Sequence, residues 1–396
     1  MAGALDGIRI IDLTTIYSGP ICTSILGDQG ADVIKIESPE GDWIRSIQNI
    51  QRNGVNGAFA MMNRNKRSAM IDLTTHEGKD ILRKLVADGD VLVENYRPGV
   101  MERLGLGYEA LKDINPGLVF ASINGVGAIG PYANRRVYDA IIQAISGVAA
   151  LQANPKEERP IMVNTLICDK LTSWAAAQAI TAALVARGNT GEGQKVDVAM
   201  LDTALFFLWS DSMLNYTFVG DDVPYVEPLS HEVFVRQTRD GYICTMPVQA
   251  DEWLGLFKSL DLPNLLEDPE YLDESSLGGI DTEKLGVRLN DAIVLFDTDT
   301  LATRLEANQV PFAKINAREE VINDPQVQAM ESLWEFEHTW AGPMRQARPP
   351  GRFSATPSEL FKHSPEHGQH TTEVLEEIGM DASTIKDLRN RGVVGG

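Results

Sequence analysis

The stretch LDGIRIIDLTTIYSGPICTSILGDQGADVIKIE, residues 5–37, alternates its texture twice. Residues 8–13, IRIIDL, are a short apolar run suited to a buried strand; residues 18–30 are small and helix-compatible, ending at Gly30; residues 32–37, DVIKIE, return to strand character. This is a βαβ unit, and it recurs. SAMIDL (68–73) predicts a strand, and Thr75 opens a helix with Ile81, Leu82, Leu85 and Val86 at helical spacing. DVLVEN (90–95) and LVFASI (118–123) predict two further strands. Alternation of this kind builds an α/β fold around a mostly parallel sheet, with its ligand crevice beyond the carboxyl ends of the strands. Those ends are Thr14 to Tyr17, Glu37-Ser38, Asn95-Tyr96 and Asn124-Gly125.

Further along, a helix is expected from about residue 169 to 187, stopped by Gly188, and KVDVAML (195–201) is a strand entering another helix. After about residue 220 the chain becomes acidic and proline-spaced, as in LEDPEYLDE, which suggests a second, smaller domain or a long insertion. Within it, VRQTRDGYICTMPV (235–248) predicts a hairpin turning at Asp240-Gly241. The final segment predicts two short helices, the first capped by Thr371 or Thr372.

Composition narrows the function. With 396 residues and a formal charge of −21, the chain lacks the basic face that nucleic acid or an anionic membrane requires. The amino-terminal residues carry Asp6, Arg9 and Asp12 where a signal peptide needs an apolar core, so a cytoplasmic location is expected. Cys22, Cys168 and Cys244 are widely spaced, which points to free thiols rather than a disulfide framework or a thiolate metal site. No G-x-G-x-x-G follows the first strand, so nicotinamide binding through that motif is not expected. His363, His367 and His370 cluster near the end, but Gly and Pro break any helix that could align them, and no metal site is assigned.

Two features carry chemistry. Basic residues gather in three places, Arg64, Lys66 and Arg67, then Arg97 and Arg103, then Arg135 and Arg136; near one crevice they would suit a polyphosphate, and otherwise they are solvated surface charge. Asp169 precedes an alanine-rich helix and by itself reads first as its cap, with an ionised nucleophile as the second reading; the helix start is expected to lower its pKa. Its neighbour Cys168 sits among apolar residues and is read as core packing.

Taken together, residues 5–42, NRNKRSAMIDLTTHEGKDILRKLVADGDVLVENYRPGVMERLGLG within 63–132, LVARGNTGEGQKVDVAMLD (184–202), DGYICTMPVQADEW (240–253) and HTTEVLEEIG (370–379) resemble the class III CoA-transferases, the family of formyl-CoA and carnitine CoA-transferases. The resemblance implies a large Rossmann-like domain built from both chain ends and a smaller α+β domain, in an interlocked homodimer. The corresponding boundaries are 1–200 for the first part of the large domain, 201–225 for a linker, 226–325 for the small domain and 326–396 for the return. It implies Asp169 as the catalytic group, with CoA contacts at Ile16, Tyr17, Ile71, Asn95, Tyr96, Arg97, Arg103 and Arg136, and the basic clusters as phosphate ligands. The implied substrates are an acyl-CoA and a small carboxylic acid, with no resident cofactor. Related racemases carry a histidine in a G-H-D segment; here Tyr138 precedes Asp139, and a tyrosine is a poor second base near neutral pH. Racemase or lyase activity, or a non-catalytic acyl-CoA binder, are the alternatives, and Tyr138 is expected close to substrate. The glycine-rich loop that covers the formyl-CoA transferase site has no counterpart in residues 218–245, so Val226 to His231 are expected to shield the site instead.

Overall fold

The computed structural model describes residues 3–47, 50–153, 159–220, 225, 234–272 and 280–396. The chain forms two compact units, one of Met1–Leu208 with Glu331–Gly396 and one of Trp209–Met330.

In the first unit the opening stretch folds as strand β1 (Arg9–Asp12), helix α1 (Ser18–Asp28) and strand β2 (Asp32–Glu37). Strand β3 (Lys66–Ile71), helix α2 (His76–Ala87) and strands β4 (Val91–Glu94) and β5 (Val119–Asn124) follow. Helix α3 (Asp139–Ser146), helix α4 (Ile167–Thr190), strand β6 (Lys195–Ala199) and helix α5 (Met200–Trp209) come next, and strand β7 (Val394–Gly395) ends the chain. Among the described residues these strands make one sheet in the order β7-β3-β2-β1-β4-β5-β6. All neighbours pair in parallel except β7, whose Val394 and Gly395 run antiparallel to Ile71 and Met70. The order reverses between β1 and β4, and a crevice opens at such a switch point.

Helices cover both sheet faces because the strands are apolar on both. On one face Leu92 and Phe120 meet Ile81, Leu85 and Val86 of α2 and Val374, Leu375, Ile385 and Leu388 of the carboxyl-terminal helices. On the other, Val91, Val93 and Ala121 meet Cys22 and Leu26 of α1 and Ala176, Ala177, Ile180 and Ala183 of α4. Small residues let α1 press against β1: a Cβ on Gly19 would lie 2.3 Å from Thr14.

Two expected helix boundaries move. Helix α4 runs through Gly188 and ends at Gly191, which takes the left-handed conformation (φ 79°) that glycine tolerates best. The helix Thr371–Glu377 is not capped by a threonine; its N-cap is His370. The Thr371 hydroxyl is buried and instead accepts the Met70 N–H of β3 at 3.0 Å, tying the carboxyl-terminal segment to the sheet.

In the second unit Val235–Gln237 and Tyr242–Thr245 form the expected antiparallel hairpin, with Phe312–Lys314 as a third strand. Asp240 in its turn accepts the Thr298 N–H and hydroxyl, both at 2.8 Å, which fixes the turn to the helix Thr298–Ala307. Ile243, Leu256, Phe257, Leu289 and Leu305 fill the core. No helix among the described residues is long and apolar enough to cross a membrane.

Beneath the β1 end lies a buried charge network. Lys66 Nζ donates to Asp12 Oδ2, the Pro20 carbonyl and Asn63 Oδ1, each at 2.9 Å, with both ionic side chains fully buried. Burial lowers the Lys66 pKa to about 8 against the pull of Asp12; burial likewise raises Asp12, but Lys66 and Lys35 outweigh it and hold that carboxyl below its usual range. The Lys66→Met variant strands the Asp12 carboxylate without its cation, and a loss of about 3–5 kcal/mol in urea unfolding is expected.

Candidate active site

The crevice at the switch point is walled by the loop after β1. Asn95, just past β4, clamps it: Thr15 N–H donates to Asn95 Oδ1 at 2.9 Å and Asn95 Nδ2 donates to the Thr15 carbonyl at 2.8 Å. Next in the loop, Ile16 sits at φ 74°, a left-handed conformation that a β-branched residue adopts only under constraint. Its N–H donates to Asp42 Oδ1 at 3.3 Å, and Asp42 is itself ion-paired with Lys35, whose ammonium donates to the Thr14 carbonyl at 2.8 Å.

Asp169 lines this crevice together with Tyr17, Ser18, Tyr138, Arg97 and Arg136. It is the third residue of α4, whose N-cap, Leu166, supplies no side-chain hydrogen bond. Asp169 is therefore not the cap of its own helix. Its carboxylate instead faces Ser18 at the amino end of α1, whose hydroxyl and N–H favour its ionised form. Its own N–H donates to Asp139 Oδ2 at 3.0 Å. The expectation of a lowered pKa is overturned. Burial, followed by the Asp139 charge, pushes the Asp169 carboxyl up to about 6, and the Ser18 bonds and Lys170 only partly counter this. Desolvation acts on the whole carboxylate, whereas the helix end reaches it only through partial charges.

The sequence-assigned CoA contacts divide. Ile16, Tyr17, Asn95, Tyr96, Arg97 and Arg136 converge on the crevice, as does Tyr138, the N-cap of α3. Arg135 joins them, with its guanidinium 3.8 Å over the Tyr132 ring. Ile71 does not: it is buried at the end of β3, in the core and opposite Val394. Arg103 lies outside the crevice lining, on the helix Val100–Leu104 with its guanidinium beside Gly99.

The cluster Arg64, Lys66 and Arg67 is corrected outright, since all three side chains are buried and bound by protein groups. Arg64 pairs with Asp28 at 2.7 Å, Lys66 with Asp12, and Arg67 with Asp32, Glu373 and Glu377. They are structural cations, not phosphate ligands. The clustered histidines separate as well: His363 contacts Thr339, His367 the Ser38 carbonyl, and His370 the Ser68 N–H. Cys168 is buried against Ile142, Met200 and Ala204, and burial pushes its thiol up to about 12. Val226 to His231, the expected shield, fall outside the described residues.

Sequence reasoning did not single out Ser18 or Asp139. The signal for Ser18 was the helix start at Ser18-Gly19-Pro20, where backbone N–H groups are free. Asp139 carries no sequence signal of its own beside Tyr138.

Comparison with known proteins converges on one description. The chain matches CoA-transferase family III over residues 5–371. It is 34% identical to an acyl-CoA transferase of Fusarium pseudograminearum, covering 99% of this chain and 88% of the relative. It is 32% identical to the succinate–glutarate CoA-transferase of Agrobacterium fabrum, covering 94% and 95%. A crystal structure of a CaiB/BaiF family protein from Brucella suis superimposes with a TM-score of 0.81 at 30% identity, covering 96% of this chain and all of that one.

The raised Asp169 pKa has a consequence for stability. A carboxyl whose folded pKa lies above its unfolded value of 3.8 contributes stability that is fully present below that value and lost as pH rises through about 6. Asp169→Asn keeps an acceptor for Ser18 and removes the charge. At pH 8 it should be more stable than the parent by about 1–3 kcal/mol, and the gain should vanish by about pH 4; denaturant unfolding at both pH values measures this.

Proposed function

The chain belongs to CoA-transferase family III, and from that premise we propose that it moves CoA from an acyl-CoA thioester to a free carboxylic acid through covalent intermediates on Asp169. The observation that carries this reading is the Asp169 carboxylate, beside Ser18 and lining a crevice that also presents Arg97, Arg135 and Arg136.

One carboxylate oxygen of Asp169 attacks the donor thioester carbonyl; the C–S bond breaks and CoA leaves as thiolate, giving a mixed anhydride. The thiolate then attacks the aspartyl carbonyl and expels the donor acid as carboxylate, leaving an aspartyl-CoA thioester. The acceptor carboxylate attacks that thioester, a second anhydride forms, and the returning thiolate takes the acceptor acyl group and frees Asp169. Each step exchanges one activated acyl bond for another, so neither ATP nor a resident cofactor enters the balance. The arginines are fitted to the CoA phosphates, and Tyr138 to the acyl portion. Ile71 and Arg103, carried over by resemblance alone, have no support from the crevice geometry.

A dicarboxylic donor is the first choice, because the Agrobacterium fabrum relative bears the name succinate–glutarate CoA-transferase. We also propose that the chain works as an interlocked homodimer in the cytoplasm. Large apolar side chains left exposed on α4 and α5, Trp174, Val185 and Phe206, favour a covering partner.

Mixed with succinyl-CoA and no acceptor, the enzyme should yield a hydroxylamine-trappable adduct that peptide mass spectrometry assigns to Asp169. Asp169→Ala should lose both adduct and transfer, by about a thousandfold or more. Deuterium entering the α-carbon in D₂O without an adduct would instead indicate a racemase, and CoA affinity with neither outcome a binding protein. Arg97→Ala and Arg136→Ala should each raise KM for the acyl-CoA about tenfold while leaving kcat closer to the parent.

A further inference from the structure

We propose that Asp139 is a positioning residue for the transfer reaction: its buried carboxylate holds the backbone of Asp169 and repels the Asp169 charge, favouring the states in which that charge has been removed by acylation. This rests on Asp169 being the nucleophile. Asp139 is the first residue of α3, only 1% exposed. Oδ2 accepts the Asp169 N–H at 3.0 Å, and Oδ1 accepts Gln143 Nε2 at 2.6 Å. Gln143, also buried, accepts the Val163 N–H at 2.9 Å through Oε1. Asp139 and Gln143 thus hold the segment that delivers α4 to the crevice.

Capping alone does not require this arrangement. A neutral serine or asparagine at position 166 would satisfy the same free N–H groups without burying a second charge. The chain has Leu166 there and brings in a carboxylate from another helix. Two acids in one desolvated corner repel when both are ionised, and the repulsion ends when Asp169 becomes an anhydride or a thioester, both neutral at that residue. The same repulsion makes the free carboxylate more basic and a better nucleophile. The other groups near Asp169 are Tyr17 and Ser18, the N-cap and first residue of α1, and Cys168 and Lys170 on its own helix, while Arg97, Arg135 and Arg136 line the same crevice. Burial raises the Asp169 pKa most, and the Asp139 carboxylate adds to it.

Asp139→Asn retains an acceptor for the Asp169 N–H and removes the charge. The swap Asp139→Asn with Gln143→Glu keeps an acceptor for the Val163 N–H, gives up the long Gln143 donations to the Val163 and Thr165 carbonyls, and moves the charge one side chain farther from Asp169. With succinyl-CoA as donor, the acid limb of kcat/KM should move down by about one pH unit in the single variant and by less in the swap. The plateau kcat should fall about tenfold, KM for the donor should stay within about twofold, and the fraction of enzyme trapped at Asp169 should drop. A single variant that fails to fold leaves the swap to decide. If the parent shows its Asp169 adduct but neither variant changes the acid limb or the trapped fraction, Asp139 is only a cap and the proposal falls. If the parent shows no adduct, the reading of Asp169 as nucleophile falls first.

Discussion

Two lysines shut away from water hold the crevice in shape. Lys66 neutralises Asp12 beneath the end of β1, and Lys35 pairs with Asp42 while its ammonium grips the Thr14 carbonyl. Asp12 in turn accepts the Thr14 N–H and hydroxyl and the Thr23 hydroxyl. Burying two ion pairs side by side is expensive in desolvation, and well-packed apolar residues often do as well for stability alone. Here the return is conformational: the network over-determines a loop whose central residue, Ile16, is held at φ 74°. Where dinucleotide-binding folds use glycines for this turn, the present chain uses a side-chain lattice underneath it.

From that fixed loop the rest of the site follows in order. The Asn95 clamp ties the loop across the switch point, so β1 and β4 present their ends in fixed register. Tyr17 then caps α1, and the free N–H of Ser18 faces Asp169 on α4. Packing of α1 on α4 through Ala176, Ala177 and Ala183 brings the two helix starts together, since larger side chains would hold the helices apart. The alanines behind Asp169 are therefore part of its positioning. In a chain of net charge −21, arginines at the crevice stand out electrostatically, and they are what an anionic ligand meets on arrival.

The parallel sheet was legible because it depends on local periodicity: residues 5–37 specify a βαβ unit whatever their surroundings, and Asp240-Gly241 specifies a turn. Asp169 was legible as a residue but not as a geometry. A sequence shows that an acid precedes a helix; it does not show that the carboxylate turns to the end of another helix, nor that a second acid thirty residues earlier stands behind it. The misreading of Arg64, Lys66 and Arg67 has the same origin. A cation that satisfies a buried acid and one that awaits a phosphate look alike in composition, and Asp28, Asp12 and Asp32 are distant in sequence from the residues they neutralise. Gly188 reads as a stop because glycine is a frequent one, yet the helix tolerates it and ends three residues later, where the backbone turns left-handed.

The pKa of Asp169 is set by a contest between burial and local charge. A helix N-terminus normally favours an ionised acid, and two such ends meet beside this one. Burial and a neighbouring carboxylate win regardless, leaving Asp169 with a pKa of about 6. That value suits its task. An acid with an ordinary carboxylate pKa would be a weaker nucleophile and a better leaving group, so its anhydride would revert more readily; one raised much further would be protonated at neutral pH and inert. Ser18 limits the rise that burial causes and Asp139 adds to. The site thus holds two carboxylates close together out of water, and on the proposed mechanism acylation of Asp169 would remove one of the two charges.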